Sequence, residues 1–92
     1  MMTVLIRIFG EVQGVSFRFY TKEKARGLNV NGWVRNRVDG TVEAFFQGSE
    51  KDVLQLIEWC HKGPAAASVE KLEVSQAQPD LDISGFIVRS TC

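Results

Sequence analysis

Val4-Leu5-Ile6-Arg7-Ile8-Phe9-Gly10-Glu11-Val12-Gln13-Gly14-Val15-Ser16-Phe17-Arg18 is the stretch from which the fold is read. Its first six residues are apolar and largely branched, apart from Arg7, which predicts a strand in the middle of a sheet. Gly10 to Gly14 interrupts that run. From Phe17 the period changes: Phe17, Thr21, Ala25 and Leu28 fall at i, i+4, i+8 and i+11, one face of a helix. Gly27 is expected just past the helix end, with Leu28 folding back. The segment is therefore a strand, a glycine-rich loop and a helix in succession.

Downstream the punctuation is equally regular. Asn31-Gly32 precedes the run Trp33-Val34-Arg35-Asn36-Arg37-Val38, and Asp39-Gly40 is a hairpin signal leading into Thr41-Val42-Glu43-Ala44-Phe45-Phe46-Gln47. Ser49 reads as an N-cap with Glu50 and Asp52 in the first turn behind it. Val53, Leu56, Ile57 and Cys60 share one face of that second helix, and Gly63-Pro64 ends it. Val69, Leu72 and Val74 mark a half-buried strand with broken alternation, and Phe86-Ile87-Val88-Arg89 a last short one. The order β-α-β-β-α-β predicts an α+β, ferredoxin-like sandwich: a split βαβ with an antiparallel sheet and two helices on one face. The other face is expected to stay open. The final strand stands apart from this scheme.

Length and composition bound the rest. Ninety-two residues make one domain, 1–92, with room for a single core. Hydrophobic residues at 45% and charged ones at 24% exclude a disordered or collagen-like chain. Net charge is zero, so nothing global points to nucleic acid or an anionic membrane. The distribution is uneven: residues 1–40 carry seven basic and three acidic residues, and residues 41–92 four basic and eight acidic. A site in the first half would then receive an anion; the plainer reading is that the two halves attract each other. No stretch approaches the roughly 20 apolar residues of a membrane helix, and MMTVLIRIFG does not read as a signal peptide. Cys60 and Cys92 lack a metal or redox spacing and are expected to be reduced thiols in a cytoplasmic protein.

The loop is where chemistry is expected. Two glycines four apart permit positive φ and close approach to a ligand. A loop feeding a helix start aims successive N–H groups at one point, which suits an anion, and Arg18 can reach the same point with its planar fork. The alternative is a tight β–α connection with Arg18 solvated, and spacing leaves both open. Neither GxxxxGK[ST] nor GxGxxG is present, and the loop holds no cysteine nucleophile.

Gly10-Glu11-Val12-Gln13-Gly14-Val15-Ser16-Phe17-Arg18 resembles the GxVQGVxFR signature of the acylphosphatases. Gly32-Trp33-Val34-Arg35-Asn36, followed by Asp39-Gly40-Thr41-Val42-Glu43, resembles the second signature of that family. The resemblance implies a small cytoplasmic, monomeric hydrolase that takes an acyl phosphate to a carboxylate and inorganic phosphate. It implies no metal and no organic cofactor, and no nucleic-acid or membrane partner. It assigns phosphate binding to Gly10, Glu11, Val12, Gln13, Gly14, Val15 and Ser16 together with Arg18, and water positioning to Asn36. Glu11 and Ser16 depart from the commonest residues of the family, and an acid at position 11 is expected to point away from a dianion.

Other residues read as supporting. Thr41 is expected to brace the loop or Asn36 through its hydroxyl. Arg35 and Arg37 alternate with Asn36 and are expected as solvated charges on the opposite side of the strand. His61 suits the last turn of its helix, and Trp33 and Trp59 suit packing. The rival class is a non-catalytic anion- or RNA-binding module on the same fold, since Phe17-Arg18-Phe19-Tyr20 superficially resembles an RNA-recognition motif. That motif requires its aromatics on a central strand. A further rival is an acylphosphatase-like domain that serves only as a carbamoyl-phosphate-handling or assembly module of a larger protein.

Overall fold

Alternation along β1 (Met2–Glu11) sends Val4, Ile6 and Ile8 to one face, where all three are buried. The computed structural model describes residues 1–92. After β1 come α1 (Phe17–Gly27), β2 (Asn31–Asn36), β3 (Val42–Gly48), α2 (Glu50–Lys62), β4 (Ser68–Gln76) and β5 (Phe86–Val88). The strands form one five-stranded sheet in the order β4-β1-β3-β2-β5. Both helices pack on the face that carries Val4, Ile6 and Ile8. There they enclose a single core with Phe17, Ala25, Val34, Val42, Ala44, Phe46, Val53, Leu56, Cys60 and Phe86. Fully burying each larger apolar side chain contributes about 1.5–3 kcal/mol.

The ferredoxin-like sandwich expected from the sequence is the one observed, with one refinement. β1, β2, β3 and β4 pair antiparallel, whereas β5 lies parallel to β2, with Trp33 opposite Ile87. The sheet is thus mixed. Residues 77–85 cross the far end of the sheet to reach that edge. They are pinned by Gln47, whose amide accepts from the Asp80 N–H at 2.8 Å and donates to the Asp80 carbonyl at 3.0 Å.

Three local expectations shift. The broken alternation in β4 comes from a register shift between Phe9 and Gly10: Lys71 faces Phe9 and Val69 faces Gly10, so Glu70 is the extra residue. α1 runs through Gly27, and the left-handed residue after it is Asn29 at φ 58°. The outer face of the sheet is not bare. Trp33 stacks on Phe45 with ring centroids 6.0 Å apart. Arg35 pairs with the buried Glu43 at 2.7 Å, and Arg37 reaches the same carboxylate at 3.4 Å. Both arginines were expected as solvated charges; β3 is the middle strand, so its outward Glu43 is buried and draws both guanidinium groups in. α2 follows the sequence closely: Ser49 accepts a hydrogen bond from Asp52 N–H at 3.2 Å, and Val53, Leu56 and Cys60 are buried.

Candidate active site

The C-terminal ends of β1 and β2 lie two strands apart, with the start of β3 between them. The β1–α1 loop therefore arrives beside Asn36. A cavity of about 480 Å³ opens there, lined by Val12, Gly14, Ser16, Phe17, Arg18, Phe19, Lys22, Asn36 and Val88. The two residues expected to act on substrate, Arg18 and Asn36, face one cavity together with part of the loop. Two cations and no carboxylate line it.

The loop presents its main chain. No backbone N–H from Val12 to Phe19 donates to a protein acceptor; the first helical bond is Tyr20 N–H to the Ser16 carbonyl at 3.1 Å. Ser16 occupies the N-cap position in the left-handed region, φ 64° and ψ 23°, and its side chain caps nothing. Gly14, at φ 73°, has open space where a Cβ would be. α1 thus begins with uncompensated donors and a positive dipole end, with no acid in its first turn.

Arg18 is half-buried and free of protein anions. The four ion pairs of the chain belong to Arg35, to Arg37 twice and to Lys71. The guanidinium at the cavity is therefore free to meet a ligand. Asn36 is the complementary case: its side-chain oxygen Oδ1 is buried and has no hydrogen-bond partner in the protein. A buried carbonyl oxygen without a donor costs about 1–3 kcal/mol. Asn36 lines the cavity, and its amide can donate as well as accept. The strand holds Asn36 by its backbone, opposite Val42 and with its carbonyl accepting from Cys92 N–H at 3.1 Å.

Not every loop residue faces the cavity. Gly10 and Glu11 belong to β1, paired with Val69 and Ser68. Gly10 sits at φ 129°, and the Cβ it lacks leaves room for the Ser68 carbonyl beside the bulge; it lies outside the cavity lining. Glu11 is exposed and outside the cavity lining. Gln13 turns away from the cavity and clamps the β2–β3 turn, its Nε2 donating to the Arg37 carbonyl at 2.7 Å and the Thr41 carbonyl at 2.9 Å. Thr41 supports the loop through that carbonyl. Its hydroxyl, expected to brace the loop or Asn36, donates instead to Asp39 at 2.6 Å, because the tight turn places that carboxylate nearer. The bonds from Thr41 hold the Asp39 carboxyl below its ordinary value, the hydroxyl contributing most and the Thr41 N–H next.

Four lining residues were not expected at the site: Phe17 and Phe19 on the first turn of α1, Lys22 and Val88. Lys22 lies four residues after Arg18, so the helical period itself put both cations on one face. Val88 carried no such signal; only the parallel seating of β5 brings it to Asn36. Elsewhere, Cys60 is a buried free thiol, its pKa raised by desolvation, and Cys92 is exposed and free. No three His, Cys, Asp or Glu side chains gather as a metal cluster, and no helix is long and apolar enough to cross a membrane.

A family model described as acylphosphatase matches residues 4–88. The chain belongs to the acylphosphatase family. An acylphosphatase of Acidovorax sp. (strain JS42) is 54% identical over 86 residues, which cover 94% of this chain and 88% of that one. The crystal structure of acylphosphatase from Bacillus subtilis matches with a TM-score of 0.92 at 29% identity, covering 97% of this chain and 99% of that one. Full-length HypF, in a phosphate- and nucleotide-bound form, matches with a TM-score of 0.88 at 27% identity over 98% of this chain but 12% of its own. The acylphosphatase fold thus occurs both as a whole chain and as one part of a larger one.

Proposed function

We propose that this chain is an acylphosphatase enzyme: it hydrolyses the carboxyl–phosphate bond of acyl phosphates to a carboxylate and inorganic phosphate, by in-line attack of water and without a metal. The observation that carries the reading is one cavity lined together by Asn36, by an Arg18 without an ion-pair partner, and by a loop whose main-chain N–H groups are unpaired.

The chemistry needs little more. An acyl phosphate is a mixed anhydride whose leaving group is a carboxylate, so no strong general acid is required. Charge in the loose transition state of phosphoryl transfer sits on the three equatorial oxygens. Loop N–H groups from Val12 to Ser16, the start of α1 and the Arg18 guanidinium stabilise that charge. Asn36 holds the attacking water opposite the leaving oxygen. The new P–O bond forms as the bond to the carboxylate breaks, and the water's proton passes to a phosphoryl oxygen. Lys22 adds positive potential at the rim. The enzyme acts as a cytoplasmic monomer of one domain on a small molecule.

The direct test is turnover of acetyl phosphate with EDTA present. Phosphate release is expected, with ordinary phosphate monoesters nearly untouched because their alkoxide leaving groups need an acid this site lacks. Inorganic phosphate should compete with substrate; purely noncompetitive inhibition would argue against a shared anion site. Two other readings meet the same test. The RNA-binding alternative loses its support, since Phe17-Arg18-Phe19-Tyr20 lies on α1 with Phe17 buried rather than on a central strand. The likeness to one part of HypF favours a module that works only within a larger protein; turnover by the isolated chain would exclude it.

A further inference from the structure

We propose that the groove between α1 and α2 receives the acyl end of the substrate, and that it favours aromatic or long aliphatic carboxyl phosphates over short ones. The proposal rests on the acyl-phosphate reading above and adds a specificity site to it. The groove measures about 1070 Å³, larger than the phosphoryl cavity and near the upper end of ordinary small-molecule sites, which run to about 1,000 Å³. Tyr20 lines it from α1, Leu28 from just beyond the end of α1, Trp59 from α2, and Val15 and Pro64 from the adjoining loops.

Continuity with the phosphoryl cavity comes through one residue. Ser16 lines both spaces, and no other residue does. It is exposed, small, and its side chain is not engaged as a cap. In-line attack then sets the direction. Asn36 and Val88 approach the cavity from the sheet, so a water held by Asn36 expels the carboxylate away from the sheet, toward the loop rim where Ser16 stands. The body of the acyl group follows into the groove.

The lining suits such a body. Trp59 is held at a tilt against Phe17, ring centroids 5.6 Å apart, and Tyr20 meets Phe19 edge-on at 5.1 Å. Trp59, half-buried against Phe17, loses little rotamer freedom when a ligand covers it, and the exposed Tyr20 ring adds apolar area. The rim charges cancel: Lys24 and Lys62 stand with Glu23 and Glu58. A groove of apolar walls and no net charge selects an uncharged body, while the phosphoryl dianion stays with Arg18.

The experiment compares benzoyl phosphate with acetyl phosphate, which is too short to enter the groove, on the wild-type chain, Tyr20→Ala and Gln55→Trp. The first variant removes a wall; the second fills the groove from an exposed position on α2. In each variant the ratio of kcat/KM for benzoyl over acetyl phosphate is expected to fall roughly tenfold, mostly through KM. A ratio unchanged in both variants, or an equal loss on both substrates, overturns the groove as the acyl site. A wild-type chain that fails to hydrolyse acetyl phosphate overturns the acyl-phosphate reading, and the groove proposal with it.

Discussion

The two helices start in equivalent places, each after a strand of one β-α-β half, and they start in opposite ways. α2 is closed: Ser49 accepts from Asp52 N–H, and Glu50 and Asp52 bring negative charge to the dipole's positive end. α1 is left open: Ser16 sits in the left-handed region, caps nothing, and no acid lies in the first turn. The closed end spends its donors on its own side chains and serves stability. The open end keeps its donors, with Arg18 and Lys22 beside them, and leaves them to the anion of the proposed reaction. A helix start that lacks its cap while its pseudo-equivalent keeps one is a sign of function, because the missing hydrogen bonds must be made by something else.

The largest test of that contrast is Arg18→Ala, which is expected to lower kcat/KM for acetyl phosphate by about 10²–10³. Near wild-type turnover would leave α1's open end without a catalytic purpose. Arg18→Lys should restore only part, since a point charge lacks the planar fork. Next, Asn36→Ala should lower kcat on the order of tenfold to a hundredfold with KM little changed, because water is aimed mainly in the transition state; a change confined to KM would move Asn36 to substrate binding. Gln13→Leu removes the clamp between the loop and the β2–β3 turn. A loss in kcat of about tenfold is expected as loop and Asn36 lose their mutual registration, seen in steady-state kinetics beside an unchanged circular dichroism spectrum.

The smaller tests address the closed end and the turn. Ser49→Ala should cost about 1 kcal/mol in urea unfolding and leave turnover intact. Ser16→Ala should cost less than about 0.5 kcal/mol, because no cap is lost; equal costs would erase the difference between the two helix starts. Smallest is the acid response of the turn. Asp39 is held below its ordinary 3.8 by Thr41, so its contribution is present above that value and fades as pH falls through the lowered one. Asp39→Asn should flatten this part of the dependence, read as the change in urea midpoint between about pH 5 and about pH 2.5.

The same contrast separates what was legible from what was not. Periods of two and of 3.6, the Asp39-Gly40 turn, the Ser49 cap and the Gly63-Pro64 stop are local signals, and each appears where the sequence puts it. The loop signature and Arg18 were local too, and so was Lys22, had the four-residue spacing been followed. Signals that needed a neighbour were misread. Gly10 looked like a ligand-side glycine, but its constraint comes from Ser68 of another strand. Arg35 and Arg37 looked solvated, but their partner Glu43 is buried only because β3 is central.

By itself the sequence determined the strand and helix order, the glycine-rich loop before α1 and the residue types able to bind a phosphoryl group, because these follow from backbone conformation and side-chain chemistry within a few residues. Only the tertiary structure decided that β5 pairs parallel with β2 and brings Val88 to Asn36, that Gln13 holds a turn rather than an anion, and that Arg35 and Arg37 are claimed by Glu43 while Arg18 stays unpaired at the cavity. Those outcomes depend on which strands become neighbours, and so on how much apolar surface each arrangement buries across the whole chain.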